Sequence, residues 1–375
     1  MRRLSDQNIS QVSGLVAARA SAKSQILYAA LIREHSHAAA LWSRPELCQD
    51  FPELFRLIKD LVTQEALLER INFWNSKGIK TVGLGDEQYP ARLSLIYQPP
   101  PLLFYKGDLS RDLTARVSLG IVGSRRADSF GCDLAFQFGR GVAQAGGCVV
   151  SGLALGVDAH AHRGALEGGG ELPTIAVLGN GLFSVYPAVH YRLADQILNS
   201  GGLIFSQFEP DEKPYPSNFL NRNRVIAGLS QGVLVIQASQ RSGSLVTARY
   251  ALEEGRDVMA VPGAINDGHF SGSNNLIKQG AHLVGSLEDL WDLFPDLRVK
   301  AEAAEKKGGL ESEETLSPSQ QMILSALQRV KCVAYDSLAQ QFSEVPSFAA
   351  DLLQLELNEL IVRLPGNQVA LRTLL

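Results

Sequence analysis

Cysteine is scarce in this chain, and long apolar runs are missing. Four cysteines occur among the 375 residues, and no two of them form a CxxC pair: Cys48, Cys132, Cys148 and Cys332. This usage predicts reduced thiols in a cytoplasmic protein. No apolar run reaches the roughly 20 residues that a membrane-spanning helix needs, and the first residues turn polar too early for a signal peptide. We therefore expect a cytoplasmic protein that has no membrane partner.

Positive charge is not in excess either. The formal net charge is −4, with 35 lysines and arginines against 39 aspartates and glutamates. A negative total does not favour nucleic acid, so any such ligand requires a local basic pocket. The hydrophobic fraction of 45% and the charged fraction of 20% are typical of a soluble globular protein.

A catalytic apparatus is also missing from the pattern. No serine or cysteine lies in a recognisable triad context. Asp158 and His162 would share one face of a helix, but His160 points elsewhere, and no second cluster of ligand residues completes a metal shell. We expect no metal and no cofactor, with His162 as a structural or pocket-lining group. Donors, glycines and hydroxyls without an evident base predict a binding protein and not an enzyme.

From Val117 onward, short β-branched runs alternate with helical stretches. The runs cover residues 117–122, 148–150, 174–178, 203–205, 233–236 and 258–261. This alternation predicts an α/β fold with a doubly wound parallel sheet that is covered on both faces. Ligands of such sheets bind beyond the carboxyl ends of the strands, where each of these runs leads into a polar or glycine-rich turn.

Composition divides the chain into four regions. Residues 1–80 have helical apolar spacing, and residues 81–297 contain the α/β core with an extended arm or short strand near 98–107. Residues 298–317 are a charged linker, and residues 318–375 predict three helices and a hairpin, which is a winged-helix pattern. The third helix, predicted over 347–360, carries Asp351, Glu356 and Glu359 but no lysine or arginine, which disfavours contact with phosphates. We expect a structural or protein-contact role for this domain.

Two turns at strand ends have residues suited to phosphate binding. Gly123 permits close backbone approach, while Ser124 and Arg125 supply a hydroxyl and a guanidinium donor. A basic turn after a strand is nevertheless common. The turn that opens with Ser151 and Gly152 has small residues but lacks the GxGxxG spacing, so a plain strand–helix turn explains it equally well.

A third turn combines hydroxyls with a glycine at a helix start. Ser242, Gly243 and Ser244 follow a strand, and Thr247 lies in the first turn of the next helix. Such an arrangement makes a phosphate site from amides and hydroxyls. Helix capping by Ser242 or Ser244 is the alternative, but two hydroxyls and a glycine together favour the phosphate site.

The segment 219–230 carries the strongest signal. Phe219, Arg222, Asn223 and Arg224 stand near the start of a helix that then becomes apolar. Forked cationic donors beside an aromatic ring are suited to holding phosphates and stacking a base. They do not supply the groups that a catalyst needs.

Together these motifs resemble one family, DNA-processing protein A, also called DprA or Smf. The motifs that carry the resemblance lie in order over the central region: residues 123–125, 151–158, 161–166, 176–179, 186–187, 222–229, 242–249, 260–263, 272–277 and 280–281. The resemblance implies an extended Rossmann-like core, a helical N-terminal domain of sterile-alpha-motif type and a C-terminal winged helix. It also implies a homodimer that holds incoming single-stranded DNA during natural transformation and loads the RecA recombinase on it.

The resemblance also assigns the DNA-binding residues. By matching positions, phosphates would be held from the three turns and the 222–224 run, and Phe219 would stack a base; the full set is Gly123, Ser124, Arg125, Ser151, Gly152, Phe219, Arg222, Asn223, Arg224, Ser242, Gly243, Ser244 and Thr247. The chain departs from the family pattern at Leu220, where proline is usual, and at His160, where alanine is common. Gln207 and Gln237 replace glutamates, which removes negative charge near the strand ends.

Two other functions stay open on these residues. A nucleotide-binding hydrolase of phosphoribohydrolase type would use the same strand ends, but its Pro-Gly-Gly-x-Gly-Thr turn with a following glutamate is absent. A protein-interaction scaffold with a vestigial basic pocket is the other alternative.

Overall fold

The computed structural model describes residues 4–110, 113, 116–301, 317–328, 332–343, 345–358, 360–364 and 366–371. The chain divides into two compact units, Met1–Ala304 and Glu305–Leu375, and each is considered by itself. Most of the predicted linker, residues 302–316, lies outside the described residues. Within the part that the structure describes, no helix combines the length and the apolar character required to cross a bilayer.

Five helices open the first unit: α1 (Asp6–Arg19), α2 (Ala22–His35), α3 (Ala38–Ser43), α4 (Pro52–Lys59) and α5 (Leu61–Ser76). A side chain at the N-cap accepts from a free helix amide in four of them, whereas α4 follows Phe51 and has no side-chain cap. Ser5 and Ser21 do so for α1 and α2, and Asp60 accepts from the amides of two residues of α5. The predicted helical N-terminal region is confirmed.

An antiparallel pair follows, β1 (Lys80–Gly83) with β2 (Leu102–Lys106), separated by the short α6 (Ala91–Ser94). The extended arm predicted near 98–107 is therefore a strand, and β1 was not predicted because its four residues lead straight into a turn-rich stretch. The Trp74 ring of α5 meets the Phe104 ring of β2 edge-on, with centroids 5.2 Å apart. The N-terminal helices thus share one hydrophobic core with the sheet.

Seven parallel strands form the rest of the sheet: β3 (Ser118–Val122), β4 (Cys148–Ser151), β5 (Thr174–Leu178), β6 (Leu203–Ser206), β7 (Gly232–Val235), β8 (Asp257–Ala260) and β9 (His282–Leu283). Their spatial order with the hairpin is β1-β2-β6-β5-β4-β3-β7-β8-β9, and β2 pairs with β6 antiparallel. β3 to β7 are buried along their whole length, as expected for strands covered on both faces. The predicted doubly wound parallel sheet is confirmed.

Helices cover both faces of this sheet: α7 (Ser129–Gln144), α8 (Val157–Gly168), α9 (Tyr191–Asn199), α10 (Pro216–Leu229), α11 (Ser244–Glu253), α12 (Ser271–Lys278) and α13 (Leu287–Leu293). α7 and α8 pack unusually closely, because a Cβ at Gly139 would overlap the backbone of Ala161 and one at Gly164 the backbone of Phe136. Buried residues of α10 and α11 belong to the hydrophobic core that includes the N-terminal helices. Buried residues of α7 belong to a second hydrophobic core.

The second unit contains α14 (Pro318–Gln328), β10 (Val333–Ala334), α15 (Tyr335–Gln341), α16 (Phe348–Leu357), β11 (Ile361–Leu364) and β12 (Gln368–Leu371). Its strands form an antiparallel sheet in the order β10-β12-β11. Three helices with such a sheet confirm the predicted winged helix. Asp351, one of the acidic residues of the predicted third helix, is 9% exposed and accepts from the hydroxyls of Ser319 and Ser347, each at 2.6 Å. Glu359 lies outside the described residues.

Candidate nucleic-acid interface

A cavity of about 420 Å³ opens at the carboxyl ends of β3, β4 and β7. The chain runs from β3 to β4 on one side of the sheet and returns to β7 on the other, so this is the switch point where doubly wound sheets bind ligands. Ten of the thirteen predicted site residues line it: Gly123, Ser124, Arg125, Phe219, Arg222, Asn223, Ser242, Gly243, Ser244 and Thr247. Three do not: Ser151, Gly152 and Arg224.

The turn after β3 brings the backbone to the cavity. A Cβ at position 123 would lie 2.6 Å from Cγ2 of Val157 and 3.0 Å from the carbonyl oxygen of Gln237, so only glycine fits there. The amide of Ser124 donates to that same carbonyl at 2.7 Å, and its hydroxyl accepts from the Arg126 amide at 3.0 Å. The turn is thereby fixed, and the side chains of Arg125 and Arg126 extend outward.

Arg125 is an exposed cation at the rim of this cavity. Among the described residues it has no carboxylate within 4.0 Å, and its guanidinium carbon lies 5.0 Å from the centre of the Phe219 ring. This distance is within the range of a cation–π contact. The positive charge is thus positioned by an aromatic face and stays available to an anion.

Arg222 is buried below the same cavity and is not a mobile arm. Its Nη1 donates to the carbonyl oxygens of Gly152, at 2.6 Å, and of Val177, while its Nε donates to the Asn223 side-chain oxygen at 3.2 Å. Within the described residues Nη2 makes no hydrogen bond. Burial lowers the pKa of Arg222 to about 10, so the guanidinium remains charged near neutral pH.

Asp158 supplies the acidic side chain of the lining. Its carboxylate is buried and accepts from the amides of Gly152, at 3.1 Å, and Ala154, at 3.4 Å. Burial raises its pKa, and the nearby Arg222 charge opposes that shift. The oxygen that accepts both amides is occupied in holding the turn after β4, which is not the arrangement of an exposed general base.

The turn after β7 shows the helix-capping contacts that were one of the two uses predicted for it, and it lines the cavity. Gly243 is the N-cap of α11, with no side-chain cap of its own. The hydroxyl of Ser242 accepts from the Ser244 amide at 3.4 Å and lies 2.7 Å from the Ser244 hydroxyl. Asn223 donates to the Gly243 carbonyl at 3.2 Å, which ties α10 to this turn. Thr247 is buried in the first turn of α11.

Phe219 belongs to an aromatic pair that sequence reasoning did not identify. Its ring packs against Gly179, where a Cβ would lie 2.5 Å from Cδ1 of the ring. The Tyr186 ring, 44% exposed, is centred 5.4 Å from it. Tyr186 follows the glycine turn after β5, which was the available signal.

The three predicted residues outside the cavity have other positions. The Ser151 hydroxyl is buried and donates to the Ile121 carbonyl at 2.6 Å. Gly152 lies against the Arg222 guanidinium, and its carbonyl oxygen accepts a hydrogen bond from Nη1. Arg224 lies on the opposite face of α10 and donates to the Gln98 side-chain oxygen.

Buried histidine and serine groups nearby are structural. The Thr174 hydroxyl donates to the Val149 carbonyl at 2.7 Å, so it accepts from Nδ1 of His162, 2.6 Å away. His160 Nδ1 lies 2.9 Å from the Gly156 carbonyl oxygen. Residues 228–232 fit the letters GxSxG, but Ser230 is buried between α10 and β7 and donates to the Ile226 carbonyl. A nucleophile elbow instead leads from a strand into a helix.

Comparison with known proteins gives two family matches. The family model described as DNA recombination-mediator protein A matches residues 80–295, and the DprA winged helix domain matches residues 310–367. The DNA processing protein DprA of Bacillus subtilis is 36% identical over 268 residues, which cover 72% of this chain and 84% of that protein. Protein Smf of Escherichia coli is 39% identical over 290 residues, covering 76% of each chain.

Solved structures agree with these matches. The X-ray structure of DprA from Streptococcus pneumoniae aligns with a TM-score of 0.61 at 35% identity, covering 78% of this chain and 98% of that one. A Helicobacter pylori DprA structure, described for its single-stranded DNA binding mode, aligns with a TM-score of 0.52 at 29% identity, covering 57% and 94%. The chain therefore belongs to the DNA recombination-mediator protein A family, DprA/Smf.

Proposed function

We propose that this chain binds single-stranded DNA, without catalysis, in the cavity at the carboxyl ends of β3, β4 and β7. One observation carries the proposal: the Arg125 cation lies over the Phe219 ring at the rim, above the buried charge of Arg222. A backbone phosphate requires such donors, and an unpaired base requires an aromatic face. Both requirements are met within one cavity.

The chain's net charge is consistent with a local site of this kind. Its total of −4 gives no general attraction to DNA, so affinity must come from the few cations that surround the cavity. Arg125 and Arg126 are exposed there. Contacts to phosphates and base faces carry little sequence information, which suits a protein that handles strands of any sequence.

The Helicobacter pylori relative supports this ligand, since its structure is described by single-stranded DNA binding. The more specific role follows from family membership and is part of the proposal: the chain protects incoming DNA during natural transformation and loads RecA on it. Such a mediator has to release the strand to the recombinase. A site made of separate, partly exposed contacts is compatible with that release.

A homodimer is also part of the proposal, and the structure offers a surface for it. A groove of about 410 Å³ lies between α11, α12 and the last strands of the sheet. Leu252 is 71% exposed beside it, and Leu283 of the edge strand β9 is 53% exposed. Apolar side chains and an unpaired strand edge suit association with a second copy.

Hydrolysis of a bound nucleotide is less well supported. A phosphoribohydrolase needs a carboxylate near the sugar, and the carboxylate in the lining, Asp158, is buried and accepts two backbone amides. The site therefore favours binding over base release. Incubating the protein with nucleoside monophosphates and measuring free base tests this point, and base release that Asp158→Asn abolishes would overturn the non-catalytic assignment.

Fluorescence anisotropy with single-stranded and duplex oligonucleotides of equal length tests the proposal. We expect wild type to prefer the single strand, with an affinity that falls as salt is added. Arg125→Ala should weaken binding and reduce the steepness of the salt dependence by about one phosphate contact. Arg56→Ala is the matched control, because Arg56 is also exposed but lies on α4. Equal binding of duplex and single strand, or equal effects of the two substitutions, would contradict the proposal.

A further inference from the structure

A second cavity, of about 250 Å³, lies on the other side of α10. It is enclosed by the N-terminal helices, the segment before β2, the loop after β6 and α10. Its polar side chains are four amides and one guanidinium: Gln25, Gln98, Gln207, Asn221 and Arg224. None of the described residues that line it carries a carboxylate. It is therefore a positively charged, amide-rich cavity that shares no lining residue with the first cavity.

The helix α10 separates the two cavities by its periodicity. Phe219, Arg222 and Asn223, spaced three and four residues apart, line the first cavity. Asn221 and Arg224, three residues apart, line the second. Residues at such spacings share a helix face, so a strand that crosses α10 passes from one cavity to the other.

Three side chains in this second cavity are linked in a chain of hydrogen bonds. Arg224 donates to Oε1 of Gln98, and Nε2 of Gln98 donates to Oε1 of Gln25 at 3.3 Å. Nε2 of Gln25 then donates to the carbonyl oxygens of Ala18 and Ala20, each at 3.1 Å. The side-chain oxygens of Gln98 and Gln25 therefore each accept a hydrogen bond within this chain. Arg224, which has no acceptor atoms, adds only donors.

Arg224 has an incomplete set of partners. Its Nε is buried with no hydrogen-bond partner, and among the described residues no carboxylate lies within 4.0 Å of its guanidinium. A buried donor on a charged group is costly when it has no acceptor. Nη2 of the same guanidinium also makes no hydrogen bond to a described residue, so an acceptor on a ligand would add a partner for the charge.

The remaining walls suit a flat ring. Pro100, Pro101 and Phe208 form apolar surfaces, while the amides of Asn221 and Gln207 make no hydrogen bond to any described residue. The volume is below the roughly 300–1,000 Å³ of sites for drug-sized ligands, which fits a single heterocycle. A phosphate would meet apolar walls and the oxygens of two amides, so it fits less well than a base.

We infer that this second cavity binds one nucleobase of the strand held in the first cavity, with guanine preferred. Guanine presents two adjacent acceptors, O6 and N7, on one edge, and Nη2 of Arg224 makes no hydrogen bond to a described residue. The free amides of Asn221 and Gln207 can pair with its other edge, since amides both donate and accept. The inference rests on the proposed function, and it adds a base-selective contact to a site otherwise indifferent to sequence.

The test compares two fluorescent strands of equal length, one of thymine only and one with guanine at every third position, which avoids runs of guanine. The variant Asn221→Ala/Gln207→Ala removes the two amides that no internal hydrogen bond requires. Asn199→Ala is the control, since Asn199 is exposed just before the amino end of β6, whereas the cavity lies beyond the carboxyl end of that strand. Thermal denaturation of each protein confirms an unchanged fold.

Wild type and the control should bind the guanine-containing strand several-fold more tightly. The double variant should lose about five- to tenfold in affinity for that strand, from the loss of hydrogen bonds, and bind both strands alike. Its salt dependence should not change, because no charge is removed. A double variant that retains the wild-type preference, or a wild type without one, would overturn the inference while leaving the proposed function intact. A wild type that binds neither strand would remove both.

Discussion

The Arg222 guanidinium occupies the space that a side chain at Gly152 would need. A Cβ built on Gly152 would overlap Nη1, Nη2 and the carbon between them, while the Gly152 carbonyl accepts from Nη1 at 2.6 Å. The turn after β4 and the helix α10 are thus fitted to each other. This relationship explains why Gly152 matters to the cavity although it does not line it.

Substituting Gly152→Ala should therefore displace Arg222. We expect a loss of about 1–3 kcal/mol in the free energy of unfolding, as for other overpacked positions, together with weaker binding of single-stranded DNA. Urea denaturation and anisotropy measure the two effects. Gly243→Ala is the control for stability, because nothing lies within 4 Å of a Cβ there and its φ of −64° is ordinary. Equal stability of the two variants would contradict the steric argument.

Replacing Phe219 separates stacking from charge. Phe219→Leu removes the aromatic face that lies between Arg125 and Tyr186, and we expect affinity for single-stranded DNA to fall about tenfold. The salt dependence should be unchanged, since no phosphate contact is lost. Phe219→Tyr keeps the ring and should bind nearly as wild type does. If leucine and tyrosine behave alike, the ring does not stack a base.

Acid should destabilise the first unit through His162. Burial lowers the pKa of His162 to about 3, and the neighbouring His190 and Arg222 add to the shift. Because this value lies below the ordinary one near 6.5, the unfolded chain binds the proton first. The contribution to stability is then complete above about pH 6.5 and declines as pH falls toward 3.

Urea denaturation at pH 7, 6 and 5 measures this effect. His162→Asn keeps a donor for Thr174 and should flatten the decline between pH 6.5 and 5. His269→Asn, at an exposed position, should leave the wild-type profile unchanged. A profile that His162→Asn does not alter would show that another group titrates.

In the winged helix, Asp351→Asn should lower the unfolding temperature of the second unit. The carboxylate accepts from Ser319 and Ser347 on two separate elements and from Ser317 at 3.4 Å, and an amide offers one acceptor oxygen in place of two. Hydrogen bonds from these serines lower the Asp351 pKa, so its stabilisation is lost as pH falls through that lowered value.

Calorimetry of the full chain detects the change for Asp351→Asn, with exposed Asp336→Asn as its control. Single-stranded DNA binding by the first unit should be unaffected, because Asp351 serves the fold of the second unit. A parallel loss of DNA affinity would mean that the winged helix contributes to binding.

Periodicity and strand-end chemistry were enough to predict the central fold and the location of the cavity. The runs from 117 to 261 carry strong β-branched patterning, and the polar turns that follow them meet at one edge because parallel strands all end there. β1 escaped prediction, since four residues beside glycine turns give little periodic signal. The third helix of the winged helix, predicted over 347–360, spans Phe348–Leu357 in the structure.

Which way each side chain faces could not be predicted. Arg222 and Arg224 are two positions apart in one run, yet one lies beneath the first cavity and the other lines the second. The burial of Asp351 could not be predicted either, because two of its three serine partners, Ser317 and Ser319, lie 34 and 32 residues away in sequence. Gln237, where the family resemblance leads one to expect glutamate, donates to the Asp128 carboxylate at 3.0 Å; a glutamate there would bring two negative charges together.

Pairing of β2 with β6 also protects the chain against association with its own copies. β6 is a buried, apolar strand, and the Phe205 ring packs near Tyr105 of β2, with centroids 6.1 Å apart. Proteolytic loss of the residues before 107 would leave the backbone N–H and C=O groups on one side of β6 unpaired. Such an apolar edge strand can pair with another chain and start aggregation. The β1–β2 hairpin therefore covers this edge of the sheet, and we expect a protein without it to aggregate more readily than the full chain.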